Sequence, residues 1–267
     1  MAKTIGCIGC GNMGGAILAG LAATGDDVLL GYNRSPERLA PLQKLGIRPV
    51  ATMQALAAEA DVLIIALKPY LVDAALQQIQ AQLTSKKVLI SVAAGVSIAA
   101  LRAASGQACP VVRTMPNTPA LVGKGVYAVC YEDSTLTEEH KALVQGLFAR
   151  IGLPLALPES KLPAFSALIG AGPAYVFQCM NALVQAGVTL GFPRAEARQM
   201  VDALVEGCAA MAQQSTTSHA DLRDQVCSPA GLTIAGVNHL ERNALTGTLV
   251  DAVLAADKRG REMEGKK

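Results

Sequence analysis

The chain has 267 residues, enough for one large or two small domains, each with its own core. Hydrophobic residues make up 51% of it but aromatics only 3%, with no Trp, so the interior must be built from Ala, Val, Leu and Ile, which favours close helix–sheet packing. Lys and Arg (23) nearly balance Asp and Glu (21), and no basic run is longer than a pair such as the terminal Lys266-Lys267, which argues against a nucleic-acid partner. The opening Met1-Ala2-Lys3 runs straight into a strand pattern with no signal-like charged-then-apolar segment, so a cytoplasmic address is expected. Seven cysteines, an odd number at irregular spacings, read as reduced thiols. Cys7 and Cys10 form a CxxC, but a strand running into a glycine turn is expected to point them apart, and no metal site is expected.

The first element is the apolar run Thr4 to Ile8, which meets the glycine triplet Gly9, Gly11 and Gly14 and then an Ala/Leu-rich helical pattern. Strand, tight turn and helix in that order form a dinucleotide cradle. Gly9 permits the turn, Gly11 lets backbone approach a pyrophosphate, and Gly14 lets the helix pack against the strand. Ile8, Gly9, Cys10, Gly11, Asn12, Met13 and Gly14 are the candidate contacts. A second strand, Asp27 to Tyr32, ends without the Asp or Glu that would accept from both ribose hydroxyls of NAD. Asn33, Arg34 and Ser35 stand there instead, donors suited to a 2′-phosphate with Arg34 as the cationic clamp, so NADPH is expected ahead of NADH.

The alternation continues through a helix at Met53–Glu59 and a buried strand from Val62 to Leu67. Ala66, Leu67, Lys68 and Pro69 fall at that strand's C-terminal end, where open parallel sheets bind ligands. A helix (Val72–Gln82) leads to the strand Val88–Val92, and the small residues of Val92-Ala93-Ala94-Gly95 leave room for a cofactor. The apolar piece Pro110–Arg113 precedes a loop pinned by Pro116 and Pro119, in which Asn117 offers an amide that donates and accepts. A strand over Gly125–Tyr131, a helix from about Thr135 to Ile151 announced by Thr135 and Thr137 with Glu138-Glu139 in its first turn, and an edge strand Leu153–Leu157 complete this half. Alternation ends there, which places a domain boundary near Pro158. The expected architecture is α/β: a Rossmann-type doubly wound sheet over 1–158, then an all-α dimerisation domain over 159–267.

The second half opens with a run, Leu162 through Pro193, that holds no charged residue and no histidine. Pro163, Gly170, Gly172 and Pro173 interrupt it, and Gln178, Asn181 and Gln185 dot the remainder, which argues against a membrane span. A helix starting near Pro173 and apolar on nearly all faces must be buried on all sides, more than about a hundred residues can enclose. Burial against a second copy, most simply in a twofold dimer, is therefore expected. Helices follow at Arg194–Gln214 and Ala220–Cys227, and a last amphipathic one runs from Leu245 to about Met263.

Between these lies Leu222-Arg223-Asp224-Gln225-Val226-Cys227-Ser228-Pro229-Ala230-Gly231-Leu232-Thr233-Ile234-Ala235-Gly236, which resembles the signature of the 1-pyrroline-5-carboxylate reductases. Gly9–Gly14, Ala66–Pro69, Ala93–Gly95, Met115–Leu121 and Gly170–Tyr175 resemble the same family, collinearly over essentially the whole chain. The resemblance implies NADPH-dependent reduction of 1-pyrroline-5-carboxylate to L-proline, with a loop of the helical domain binding the cyclic imine. It implies that Thr233 hydrogen-bonds the ring nitrogen and that backbone N–H groups from Ala230, Gly231, Leu232 and Thr233 hold the carboxylate. Ser228 and Glu159 match family positions near the substrate, although Ser228 and Thr233 also suit helix caps and an isolated Glu reads as a solvated carboxylate. His140, His219 and His239 read as helix-associated rather than catalytic.

Departures from the family pattern are concentrated at the substrate end. Ala230 stands where the family usually has Gly, Leu232 precedes Thr233, Gln225 replaces a common Asn, Tyr70 stands where Gln often follows Lys-Pro, and Ile169-Gly170-Ala171-Gly172-Pro173 lacks two serines. A reductase of a related cyclic imine carboxylate and a non-catalytic cofactor-binding relative therefore stand as alternatives. A β-hydroxyacid dehydrogenase would need a Lys on a helix of the second domain, and the run Leu162–Pro193 holds none.

Overall fold

A computed structural model describes residues 2–25 and 27–264. Met1 and the Lys266-Lys267 pair lie outside the described residues. By contacts the chain divides into two compact units, one running to Gly170 and taking in the segment from Gly260, the other spanning Ala171–Arg259.

The first unit is built on an eight-stranded sheet: β1 (Thr4–Ile8), β2 (Val28–Tyr32), β3 (Arg48–Pro49), β4 (Val62–Ile65), β5 (Val88–Ser91), β6 (Val111–Met115), β7 (Gly125–Cys130) and β8 (Gly152–Ala156). Their order is β3-β2-β1-β4-β5-β6-β7-β8. The pairs from β3 to β6 are parallel, β7 runs antiparallel to β6, and β8 lies parallel to β7 at the edge, where Pro154 costs little pairing. Helices are α1 (Asn12–Ala22), α2 (Ala40–Gln43), α3 (Met53–Glu59), α4 (Pro69–Ile79), α5 (Ile98–Ala104), α6 (Glu138–Ala149) and the short α7 (Leu162–Phe165).

Both faces of the sheet are covered, which is why β4 reads as an unbroken apolar run. Ile5, Val62, Ile64 and Ile90 pack with Ile17, Leu18 and Leu21 of α1 and Leu147 and Phe148 of α6. Their alternate neighbours Ile8, Leu63, Ile65 and Leu89 pack with Leu56 of α3, Leu76 of α4 and Leu101 of α5. Strand order reverses between β1 and β4, and the crevice that this leaves beyond the strand ends is the place for a ligand. The predicted α6 begins later than Thr135: Thr137 caps it by accepting from the His140 N–H at 3.2 Å, while His140 Nδ1 accepts from the Thr137 N–H at 3.3 Å. Helix α5 was not legible in the sequence, since its seven residues are too few to show a 3.6-residue period.

The second unit holds α8 (Gly172–Thr189), α9 (Arg194–Gln214), α10 (His219–Gln225), α11 (Leu232–Arg242) and most of α12 (Leu245–Glu264). Helix α8 starts next to Pro173 as expected and packs along α9 through Val184, Ala197 and Val201. At Gly187 the two helices come so close that an added Cβ would lie 2.9 Å from the Ala197 Cβ. Burial on all sides does not occur within one chain. Val184 is the buried residue of α8, while Phe177 is 65% exposed and Val176 and Leu183 are also exposed. The helical run Glu159–Thr189 is long and apolar enough to cross a membrane by length and composition.

Candidate dinucleotide and substrate sites

The glycine turn connects β1 to α1 at the reversal point. Gly9 has φ +101°, a left-handed conformation that disfavours any side chain, and its N–H donates to the Tyr32 carbonyl at 2.9 Å. A Cβ there would sit 2.5 Å from the Ala66 carbonyl oxygen. At Gly14 a Cβ would run into the Gly9 carbonyl and lie 2.9 Å from the Ala66 Cβ, so α1 can approach the strand only without one. Gly11 differs: it is the N-cap of α1, with no side-chain cap, and a Cβ on it would meet nothing within 4 Å. Open space in front of uncapped first-turn N–H groups is a cradle for a phosphate.

Cys10, inside this turn, corrects one expectation. The left-handed step at Gly9 turns the chain back, so Cys10 Sγ donates to the Cys7 carbonyl at 3.5 Å and both residues are buried. The hydrogen bond with the Cys10 thiol, together with burial, pushes the Cys7 thiol well above the usual range. No group of three or more His, Cys, Asp or Glu among the described residues is arranged to hold a metal.

Neighbouring strand ends bring the other candidates to the same edge. Ala66 N–H donates to the Ile8 carbonyl at 2.9 Å, and Val92 N–H donates to the Ile65 carbonyl at 3.0 Å, so Ala66–Pro69 and Val92–Ala94 flank the glycine turn in sequence of strands. Leu67 is half-buried, Lys68 is exposed as the N-cap of α4, and Pro69 occupies its first turn. Beyond β2, the Asn33 amide donates to the Ser35 carbonyl at 3.0 Å and shapes the turn, leaving Arg34 exposed with no ion-pair partner among the described residues. Asn117 is buried and largely spent on the fold: Oδ1 accepts from the Val126 N–H at 2.9 Å and Nδ2 donates to the Ile169 carbonyl at 3.4 Å.

Glu159 is no solvated carboxylate. Its Oε1 accepts from Arg113 Nη1 at 2.9 Å and from the Ile98 N–H at 2.8 Å. Arg113, on β6, was passed over in the sequence; a lone Arg inside an apolar strand was the signal, because burying a guanidinium requires a partner. A cavity of about 700 Å³ opens alongside, lined by Tyr70, Asp73, Gly95, Ser97 and Arg113 among others.

In the second unit the 228–236 segment is shorter as a loop than it reads. Helix α11 starts at Leu232, its N-cap is Gly231, and no side-chain cap is present, so neither Ser228 nor Thr233 serves as the cap. Thr233 lies half-buried in the first helical turn, and Leu232 beside it is 90% exposed. Gly231 N–H donates to the Ser228 carbonyl at 3.0 Å, and a Cβ on Gly231 would strike Ser228 Oγ. Ala230, between them, takes φ +57°, which explains why a glycine would suit this position. The uncapped N–H groups at 232–234 are available to an anion.

Comparison with known proteins converges on one family. Residues 159–263 match the family described as pyrroline-5-carboxylate reductase dimerisation, and residues 4–95 match that described as NADP oxidoreductase coenzyme F420-dependent. The pyrroline-5-carboxylate reductase of Arabidopsis thaliana is 36% identical over 97% of this chain and 95% of its own length. Among solved structures, a pyrroline-5-carboxylate reductase from Coxiella burnetii aligns with a TM-score of 0.92 at 32% identity, over 98% of both chains. The pyrroline carboxylate reductase of Plasmodium falciparum, solved with NADP bound, gives 0.87 at 29% identity, again over 98% of both. An eight-stranded Rossmann-like sheet with an uncapped glycine cradle, followed by a helical unit of the dimerisation type, therefore belongs to a member of the pyrroline-5-carboxylate reductase family.

Proposed function

We infer that the protein is an NADPH-dependent oxidoreductase that reduces 1-pyrroline-5-carboxylate to L-proline, the last step of proline biosynthesis. The observation that carries this is the identity of more than a third shared with such reductases over nearly the full length of both chains. The cradle fits the cofactor on its own terms, through the open space at Gly11, the uncapped start of α1 and the free guanidinium of Arg34. NADPH, when bound, supplies the hydride that the imine carbon accepts.

This chain's residues have to hold and align. Ile8 to Gly14 receive the pyrophosphate, Asn33, Arg34 and Ser35 receive the 2′-phosphate, and Ala66–Pro69, Val92–Ala94 and the rigid Asn117 loop line the remainder. Arg34 distinguishes NADPH from NADH by pairing with the extra phosphate, so NADH is the poorer substitute. In the helical unit the Thr233 hydroxyl bonds the ring nitrogen, while the Ala230–Thr233 backbone at the start of α11 takes the carboxylate, with Ser228 alongside. Positive charge on a protonated imine disappears as hydride arrives, so alignment matters more than a strong general acid. That suits a substrate segment with no His or Lys between Ser228 and Gly236.

The domain limits proposed are 1–158 for cofactor binding and 159–267 for dimerisation and substrate, a division supported by the match of 159–263, although by contacts residues 159–170 group with the sheet unit. The exposed apolar surface of α8 supports a homodimer, or a larger assembly of dimers, rather than a membrane anchor. A soluble cytoplasmic enzyme without a nucleic-acid partner follows from that reading. The decisive experiment follows NADPH oxidation with pyrroline-5-carboxylate, with a six-membered cyclic imine carboxylate, and with a hydroxyacid in reverse. Turnover is expected with the five-membered imine, and Thr233→Val should lower kcat/KM by roughly ten- to ten-thousandfold. No turnover with any imine would leave a cofactor-binding relative, and preference for the larger ring would reassign the substrate.

A further inference from the structure

The Arg113–Glu159 pair joins parts of the first unit that are far apart in sequence. Glu159 opens a short 3-10 turn after the edge strand β8, and its own N–H is held by the Glu132 carboxylate at 2.9 Å. From there its carboxylate crosses β7 to reach Arg113 on β6, 46 residues away, and the Ile98 N–H, 61 residues away. Ile98 is the first residue of α5, directly after the 92–97 turn. Ser97 Oγ accepts from the Ala100 N–H at 3.1 Å, so Ser97 and Glu159 together satisfy two of the donors left over at the start of α5. Arg113 in turn pairs in register with Ser91, the residue at which β5 gives way to that turn. The side chains are 11% and 26% exposed, so the contact is little screened and hard to replace with water.

We propose that Arg113 and Glu159 are positioning residues that lock the 92–97 turn in the shape that receives the cofactor, with Glu159 acting through Ile98 rather than on the imine. The proposal rests on the assignment of Val92–Ala94 to the cofactor. It departs from the expectation that Glu159 touches substrate, because both bonds that fix its Oε1 point into the sheet unit. A carboxylate is suited to the task, since one oxygen can accept from a guanidinium and an amide together, where a neutral amide gives a weaker bond to each.

The test uses the full-length chain with Glu159→Ala and Arg113→Lys. In the cofactor-free protein, hydrogen exchange at amides 92–98 should accelerate about tenfold in Glu159→Ala, with exchange elsewhere unchanged. Fluorescence titration should show the NADPH Kd rising about tenfold, while the imine KM at saturating NADPH stays within about twofold. Arg113→Lys keeps a cation opposite Glu159 and should retain most of the wild-type NADPH affinity. Two results overturn the proposal: faster exchange spread over the whole sheet with a lowered Tm, which would mean a general brace, or a raised imine KM with NADPH affinity and exchange unchanged, which would place Glu159 on the substrate. Should Glu159→Ala not fold, Glu159→Gln removes the charge while keeping one acceptor oxygen, and is read in the same three ways. Exchange and NADPH titration need no turnover, so a chain inactive on every imine would refute the reductase reading and leave this one to be decided.

Discussion

Gly11 and Gly14 sit three residues apart in one turn, yet the structure assigns their substitution opposite consequences. Gly14→Ala places a methyl against the Gly9 carbonyl, 2.8 Å from Cys7 Sγ and 2.9 Å from the Ala66 Cβ, and two of these three neighbours are backbone or a short side chain that cannot swing away. Overpacking of this kind costs about 1–3 kcal/mol, so the variant should unfold at lower denaturant with the sheet's cofactor edge disturbed. Gly11→Ala is different. Its φ of −78° and ψ of −154° are open to alanine, and the new Cβ meets nothing within 4 Å. The weaker capping by Ala is offset by the lower entropy of its unfolded chain, leaving stability within about 0.5 kcal/mol. On the proposed cofactor reading, that methyl would fill the space through which a pyrophosphate approaches the N–H groups of α1. Loss of even part of that approach should weaken NADPH binding ten- to a hundredfold, or about 1.4–2.8 kcal/mol. Urea unfolding and NADPH titration on both variants decide it. If Gly11→Ala binds NADPH as tightly as the wild type, the phosphate does not lie over this turn and the cradle reading fails.

Other outcomes follow from particular contacts. Burial alone would raise the Asp27 carboxyl, but the Arg150 guanidinium at 2.6 Å and the Lys3 N–H at 2.9 Å outweigh it and hold the group below the usual carboxylate range. Its stabilising contribution is therefore complete above the unfolded value of about 3.9 and is lost as pH falls through the lower folded value. Asp27→Asn should cost about 1–2 kcal/mol at neutral pH, a gap to the wild type that closes on acidification below about pH 4; a gap independent of pH would contradict the ion pair. Ala230→Gly relieves a left-handed alanine worth about 1–2 kcal/mol against a glycine entropy cost of about 0.5–1 kcal/mol, so a net gain of up to about 1 kcal/mol should appear in chemical denaturation. Clear destabilisation would mean that the turn before α11 is shaped otherwise. Phe177→Arg puts a charge on the exposed apolar face of α8 and should weaken self-association by about 2 kcal/mol or more, read by light scattering across a dilution series. An unchanged mass at every concentration would remove α8 from the interface.

Much of this molecule is written locally. Gly9 must be glycine because of its own φ, the apolar runs of β4 and β5 need cover on both faces, and Thr137 announces α6; each depends on a few adjacent residues and survives in the sequence as a pattern. The glycine triplet at Gly9, Gly11 and Gly14 and the family-like run ending at Gly236 mark the two candidate sites in the sequence itself, and the lack of an acidic residue after Tyr32 points to NADPH. Tertiary structure decided what depends on distant partners. It turned Cys10 back onto Cys7, spent the Asn117 amide on Val126 and Ile169, and started α11 at Leu232 so that Thr233 lies inside the helix. It also gave Glu159 two partners 46 and 61 residues away, a contact that no spacing rule can reveal because it is made by strands brought together only when the sheet assembles.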